Sequence, residues 1–154
     1  MKYEILFLGK TKGSFLAEGI SEYLNRLNHY TSVSIKIVKS QKMQGPDALI
    51  KDKESRLLFN NINSSSYIVA LDSQGKEFSS SGFSSLIDRW EHSGIKHLSF
   101  VIGGPLGFSK EILKKANFKI SLSKMTFTHD MVRLFLLEQI YRAYTIKAGE
   151  KYHK

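Results

Sequence analysis

The sequence predicts an α/β fold, a mostly parallel sheet with flanking helices, built as one domain over residues 1–154. Three observations predict it. Short apolar runs rich in β-branched and aromatic residues recur along the chain, longer amphipathic stretches separate them, and a glycine-rich turn directly follows one of the runs. A chain of 154 residues can bury a real core but is too short for two ordinary domains. Hydrophobic residues at 42% and charged residues at 24% match a folded globular chain rather than a disordered one.

The strands predicted in order are Tyr3 to Leu8, Val33 to Val38, Tyr67 to Leu71, Leu98 to Ile102 and Phe118 to Leu122. Between the first two, Phe15, Gly19, Tyr23 and Leu27 recur at fourfold spacing with Leu16, Ile20 and Leu24 beside them, which predicts a helix from about Ser14 to Asn28. Pro46 suits the first turn of a second helix, where a missing amide hydrogen costs little, and Leu49, Leu57 and Leu58 supply its buried side. Ser79 to Ser81 precede Phe83, Leu86, Ile87 and Trp90, a capped third helix ending near Gly94. A short fourth helix is predicted to start at Ser109.

The last helix, from about Thr128 to Ala148, is apolar on more than one side. Val132, Phe135, Leu136, Ile140, Ala143 and Tyr144 form one stripe, while Met131, Leu134, Leu137, Tyr141 and Ile146 point elsewhere. So broad an apolar surface needs two partners, and the expectation is that this helix packs on its own sheet and on a second subunit; burial on both sides within one domain is the alternative. Glu138 and Arg142, four apart in the favourable order, are placed to pair on its surface.

The chain has no cysteine, which excludes disulfides, thiolate metal sites and cysteine nucleophiles and makes the cytoplasm the expected setting. The apolar run Ile5 to Leu8 has the length of a strand, not of a signal peptide or membrane span. No metal-binding pattern and no membrane partner are expected. The net charge is +9, and residues 107–154 carry ten Lys/Arg against four Asp/Glu, so most of the excess lies in the last third. Such a distribution suits a polyanionic partner such as RNA, although a lysine-rich solvated surface has the same composition.

Gly103, Gly104, Pro105 and Gly107 follow the fourth strand, at the carboxyl end where open α/β sheets bind ligands. Glycine lets backbone groups approach a ligand without an intervening side chain, and a tight structural turn would use the same residues. The dinucleotide fingerprint is missing and no Gly-Lys-Ser/Thr follows, so nucleotide phosphates are not the favoured ligand and a dinucleotide-dependent oxidoreductase is not supported. A second loop, Leu122 to Phe127, joins the fifth strand to the long helix; within this stretch Ser123, Thr126 or Thr128 has the chemistry of a helix cap. A third strand end, Leu71-Asp72, is followed by Gly75, where Asp72 either helps to line a site or starts a turn. Three strand ends facing the same way would enclose one small ligand, a feature that a non-enzymatic binding module does not need.

The runs Phe100 to Gly107, Ser121 to His129, and Glu138 to Ala143 continuing to Tyr152-His153-Lys154 resemble the RlmH family, and the resemblance spans the chain from Leu8-Gly9-Lys10 onward. These are small SPOUT-class methyltransferases that act on N3 of a pseudouridine in 23S ribosomal RNA of the large subunit. The resemblance implies a C-terminal trefoil knot, a homodimer, and S-adenosyl-L-methionine held by the residues that stand here as Leu71, Gly103, Leu122, Ser123, Lys124, Met125, Thr126 and Phe127. Its substrate would be the large subunit or the assembled ribosome. The sequence departs from the family pattern at Thr128, where proline usually precedes the histidine, so a less rigid turn into the last helix is expected.

Methylation at a ring nitrogen requires the nitrogen's proton to leave, so a base or an anion-stabilising group is expected. His129, Arg142, Tyr152 and His153 are the catalytic candidates. His129 starts the long helix beside the cofactor loop, where a local hydrogen bond is its alternative role. Arg142 either binds phosphate or pairs with Glu138. Tyr152 and His153 lie on a basic tail with Lys147, Lys151 and Lys154, expected to be mobile and to close on a flipped nucleotide, or else to be an ordinary frayed end.

Overall fold

The computed structural model describes residues 1–40 and 42–153. Its elements follow the predicted order: β1 (Lys2–Leu8), α1 (Ser14–Leu27), β2 (Ser32–Val38), α2 (Asp47–Asn60), β3 (Tyr67–Glu77), α3 (Ser80–His92), β4 (His97–Ile102), α4 (Lys110–Leu113), β5 (Phe118–Ser121) and α5 (His129–Lys147), with a 3₁₀ turn at Lys151–His153. The five strands are ordered β2-β1-β4-β3-β5 and every pairing is parallel.

Alternation along the strands divides the core into two layers. Tyr3, Ile5 and Phe7 of β1, with Leu98, Phe100 and Ile102 of β4, face α1, α3 and α5. Leu6 and Leu8 of β1, Ala70 of β3 and Val101 of β4 face α2 and α4 through Leu58, Phe59 and Ile112. A parallel sheet covered on both faces needs apolar residues at successive positions, and β4 is buried from Leu98 through Ile102.

The breadth of α5 has an intradomain explanation. The helix lies between α1 and α3, and Leu136, Leu137, Ile140 and Ala143 are all buried in the larger core layer. Leu137, expected among the directions left for a second subunit, is 1% exposed, so two flanking helices take up most of the surface that sequence had assigned to a partner. Leu134 contributes to the same packing, standing 3.1 Å from where a Cβ on Gly19 of α1 would lie. The outward face keeps Met131 exposed and Phe135, Tyr141 and Ile146 half-buried.

β3 runs six residues beyond the predicted end at Leu71. Its pairing with β5 shifts register, so that Ile120 faces Leu71 and then Lys76, with residues 72–75 bulged between them. Asp72 does make the local bond of a turn, its Oδ1 accepting from the Gln74 amide at 2.9 Å, but the chain continues as strand. No helix among the described residues is long and apolar enough to cross a membrane, and no group of three or more His, Asp or Glu is arranged to hold a metal.

Candidate active site

The parallel order makes β4, β3 and β5 neighbours, so their carboxyl ends open on one side of the sheet. A cavity of about 310 Å³ lies there, the size of a small-molecule site. Leu71 and Asp72 line it from β3, Gly103 and Gly104 from the glycine turn, and Leu122, Ser123, Met125, Thr126 and Phe127 from the loop after β5. His129 and Val132 of α5 close one side. Lys124 lies on the same loop with its side chain exposed and is not part of the lining.

Local bonds shape these loops. The Gly107 amide donates to the Gly104 carbonyl at 2.9 Å and Gly107 turns at φ +74, which folds the glycine segment back on itself. A Cβ on Gly103 would stand 3.2 Å from the Gly107 backbone, so the residue at 103 must be small for the turn to close as well as for a ligand to approach. From below, α2 braces the turn: Ser55 Oγ accepts from the Ser109 amide at 2.9 Å, and Ser109 Oγ donates to Asp52 at 3.0 Å. On the other loop, Ser123 Oγ accepts from the Met125 amide at 2.9 Å, a turn bond rather than the helix cap. The cap is Thr128, whose Oγ1 accepts from the Met131 amide at 3.3 Å. Its φ of −61 lies in the range a proline would impose, so threonine reaches the same backbone and adds a capping bond.

A second cavity of about 410 Å³ shares the β5 end and Phe127 with the first. Phe78, Phe83 and Phe135 make it aromatic, and Glu138 and Gln139 supply its polar edge.

Of the four catalytic candidates, only His129 lines the first cavity. Its pKa lies below the ordinary value because the ring is partly buried; Asp130 opposes that shift, and Arg133 and Lys12 add to it. Arg142 is more than three turns further along α5, roughly 20 Å away at the rise of an α-helix. It pairs with Glu138, Nε to Oε1 at 3.0 Å, as the spacing allowed. The tail docks on the same patch: Tyr152 Oη lies 2.9 Å from Tyr23 Oη and 3.1 Å from Glu138 Oε1, and the Arg142 guanidinium stands 4.7 Å above the Tyr152 ring. Tyr152 is therefore docked on the body of the protein, and a short 3₁₀ turn carries His153 outward, exposed. Lys154, included in the expected clamp, lies outside the described residues. Burial, the Tyr23 hydroxyl and the Glu138 carboxylate all hold the Tyr152 phenol above its ordinary pKa, which suits a donor or a stacking ring and not a base.

Sequence reasoning passed over Asp130 and Arg133, three apart at the start of α5. Arg133 is 1% exposed and its Nη1 lies 3.0 Å from Asp130 Oδ1. Within an apolar stripe an arginine reads as a surface residue, and only the fold shows what it binds.

A family model described as "Predicted SPOUT methyltransferase" matches residues 1–153. The chain belongs to the SPOUT methyltransferase family. S-adenosylmethionine is the methyl donor of SPOUT enzymes, and the cradle between the β3 bulge and the ends of β4 and β5 fits a small ligand of that kind. Full-length relatives agree. The chain is 53% identical over 154 residues to the ribosomal RNA large subunit methyltransferase H of Desulfotalea psychrophila, covering all of both chains. It is 44% identical over 155 residues to the protein of the same name from Parabacteroides distasonis, covering 99% of each, and 43% identical over 159 residues to that of Clostridium botulinum, covering all of each. The fold is also similar to that of a solved structure of a probable methylase family protein from Haemophilus influenzae, with a TM-score of 0.56 and 8% identity over 99% of this chain and 70% of that one.

Proposed function

We propose that this SPOUT methyltransferase transfers a methyl group from S-adenosylmethionine to N3 of a pseudouridine in 23S ribosomal RNA, acting in the cytoplasm on the large subunit or the assembled ribosome. The observation that carries the reading is the cavity between the bulge of β3 and the carboxyl ends of β4 and β5 in a chain related over its full length to large-subunit RNA methyltransferases. Leu71, Gly103 and the run Leu122 to Phe127 hold the cofactor, with the exposed Lys124 reaching it only from the rim. A C-terminal trefoil knot accompanies this site; family membership supports it.

The bound cofactor supplies a methyl group on a positively charged sulfur, which is an excellent leaving group. The protein aligns the nucleotide with that methyl, excludes water and takes the N3 proton as the new carbon–nitrogen bond forms. His129 suits the last task, since partial burial keeps its imidazole neutral and its position on the cavity wall brings it to the reacting base.

Arg142, Tyr152 and His153 do not line the cavity of their own chain. We infer that a homodimer brings the tail of one subunit to the cavity of the other, where His153 and Arg142 meet the nucleotide. Phe15, Met125 and Met131 support a contact at this end of the molecule: they lie in the first turn of α1, in the loop after β5 and in the first turn of α5, and are 72%, 74% and 36% exposed.

The deciding experiment incubates purified ribosomes, isolated large subunits and naked 23S RNA with radiolabelled S-adenosylmethionine and maps the modified nucleotide. Label at N3 of a pseudouridine is expected. Label elsewhere, or none in any substrate, refutes the assignment.

A further inference from the structure

The loop between β1 and α1, Gly9 to Gly13, turns through positive φ at both ends, +66 at Gly9 and +91 at Gly13. Between them stand Lys10, Thr11 and Lys12. Two buried side chains of α5 hold this loop. Arg133 Nη2 donates to the Leu8 carbonyl at 2.8 Å, and Nη1 donates to the Gly9 carbonyl at 3.3 Å and to Thr11 Oγ1 at 3.0 Å. Its guanidinium lies 3.9 Å above the Phe7 ring. Asp130 Oδ2 accepts from the Lys12 amide at 2.9 Å.

A buried arginine–carboxylate pair is a poor source of stability, because desolvating both charges offsets most of their attraction. Outside itself the pair bonds to the carbonyl of Leu8, the last residue of β1, and otherwise only to the loop, apart from a 3.4 Å approach of His129 Nε2 to Asp130. The result is a loop with a fixed backbone whose two lysine side chains are left exposed, and neither takes part in an ion pair among the described residues. The loop leaves β1 beside β4 at the cavity's edge of the sheet, and Asp130, which holds it, adjoins His129 on the cavity wall.

We propose that the β1–α1 loop is a phosphate-binding element for the RNA substrate, with Lys10 and Lys12 gripping the backbone beside the methyl-transfer cavity and Asp130 and Arg133 as positioning residues. The proposal rests on the function given above. A nucleotide whose base enters the cavity leaves its flanking phosphates at the mouth, where paired ammonium groups on an ordered loop hold them without losing loop entropy on binding. Phosphate contacts of this kind set register and carry no sequence information, so they complement rather than replace recognition of the base.

The test compares Lys10→Gln/Lys12→Gln with wild type in ribosome methylation, S-adenosylmethionine calorimetry and RNA filter binding over a range of salt. The double variant is expected to raise KM for ribosomes on the order of tenfold and to reduce the slope of log affinity against log salt by about 2, one counterion for each lost phosphate contact, with cofactor affinity unchanged. Lys10→Arg/Lys12→Arg should stay near wild type. The control pair Lys114→Gln/Lys115→Gln lies before β5, at the opposite edge of the sheet, and should have little effect. Unchanged KM and slope in the loop variant, or an equal loss in the control, overturns the proposal. Thr11→Val keeps both lysines and removes one Arg133 contact; it should raise KM several-fold, and an unchanged KM overturns the positioning role. Should wild type methylate no ribosomal substrate, the proposed function fails, and filter binding still judges the loop by the same criteria.

Discussion

Gly75 passes over Ile120 so closely that a Cβ added to the glycine would stand 2.6 Å from the Ile120 carbonyl carbon and 2.7 Å from its amide nitrogen. Backbone against backbone leaves nothing flexible to move. Gly75→Ala is therefore expected to destabilise the fold by ~3 kcal/mol and to weaken cofactor binding, since the displaced β5 leads directly into the cavity loop. Gly94→Ala meets nothing within 4 Å and carries only the strain of a positive φ, so it should lose about 1 kcal/mol. Urea denaturation of the two variants compares them; equal losses would mean that β3 and β5 separate more easily than the geometry implies.

At the glycine turn the two neighbouring positions should behave differently. A Cβ on Gly103 meets the Gly107 backbone and the Phe108 ring, whereas one on Gly104 meets the far end of the Glu54 side chain at 2.7 Å, which can swing away. Gly103→Ala is expected to reshape the cavity floor and reduce S-adenosylmethionine affinity at least tenfold, about 1.4 kcal/mol, while Gly104→Ala binds it more nearly as wild type does. Calorimetry on the two variants reads this directly.

The exposed and buried faces of α5 separate dimerisation from folding. Leu137→Glu places a charge among core residues and should unfold the protein. Met131→Glu changes a residue that one chain leaves exposed, so the variant should stay folded and sediment as a monomer. A dimeric Met131→Glu protein would move the interface away from the first turn of α5.

A composite site also makes a complementation prediction. His129→Ala chains and chains lacking residues 152–154 should each be inactive alone, the second with cofactor affinity intact. Mixed in equal amounts with exchange of subunits, they should recover about a quarter of wild-type activity, because half of the dimers are mixed and each of those has one complete site. Recovery near zero would place the tail and the cavity of one chain in the same site.

The neutral state of His129 sets a pH dependence. Its folded pKa is below the ordinary 6.5, so protons bind the unfolded chain more readily, and this residue's share of stability is lost as pH falls from about 6.5 through the lower folded value. Proton NMR of the ring should titrate below 6.5, and Lys12→Gln should raise the midpoint by removing a nearby positive charge. A midpoint at or above 6.5 in wild type would contradict both the burial and its sign.

Much of this architecture was legible in the residues because its causes are local. Strand positions follow from runs such as Leu98 to Ile102, α1 from the spacing of Phe15 to Leu27, and the presence of caps from the Ser79–Ser81 cluster and from Ser123, Thr126 and Thr128, among which the fold selected Ser79 and Thr128. The loops that line the cavity were also visible as glycine and small polar residues after predicted strands, although a structural turn or a helix cap uses the same residues. Tertiary structure alone decided what depends on residues distant in sequence. The breadth of α5 did not distinguish a second subunit from a pair of flanking helices, and the sheet order chose α1 and α3 for most of it. Gly75 looked like a turn residue until its crossing of Ile120, 45 positions later, explained it. Arg133 gave no sign that it binds the carbonyls of Leu8 and Gly9, because a side chain's partners are fixed by where the folded backbone brings them and not by its neighbours along the chain.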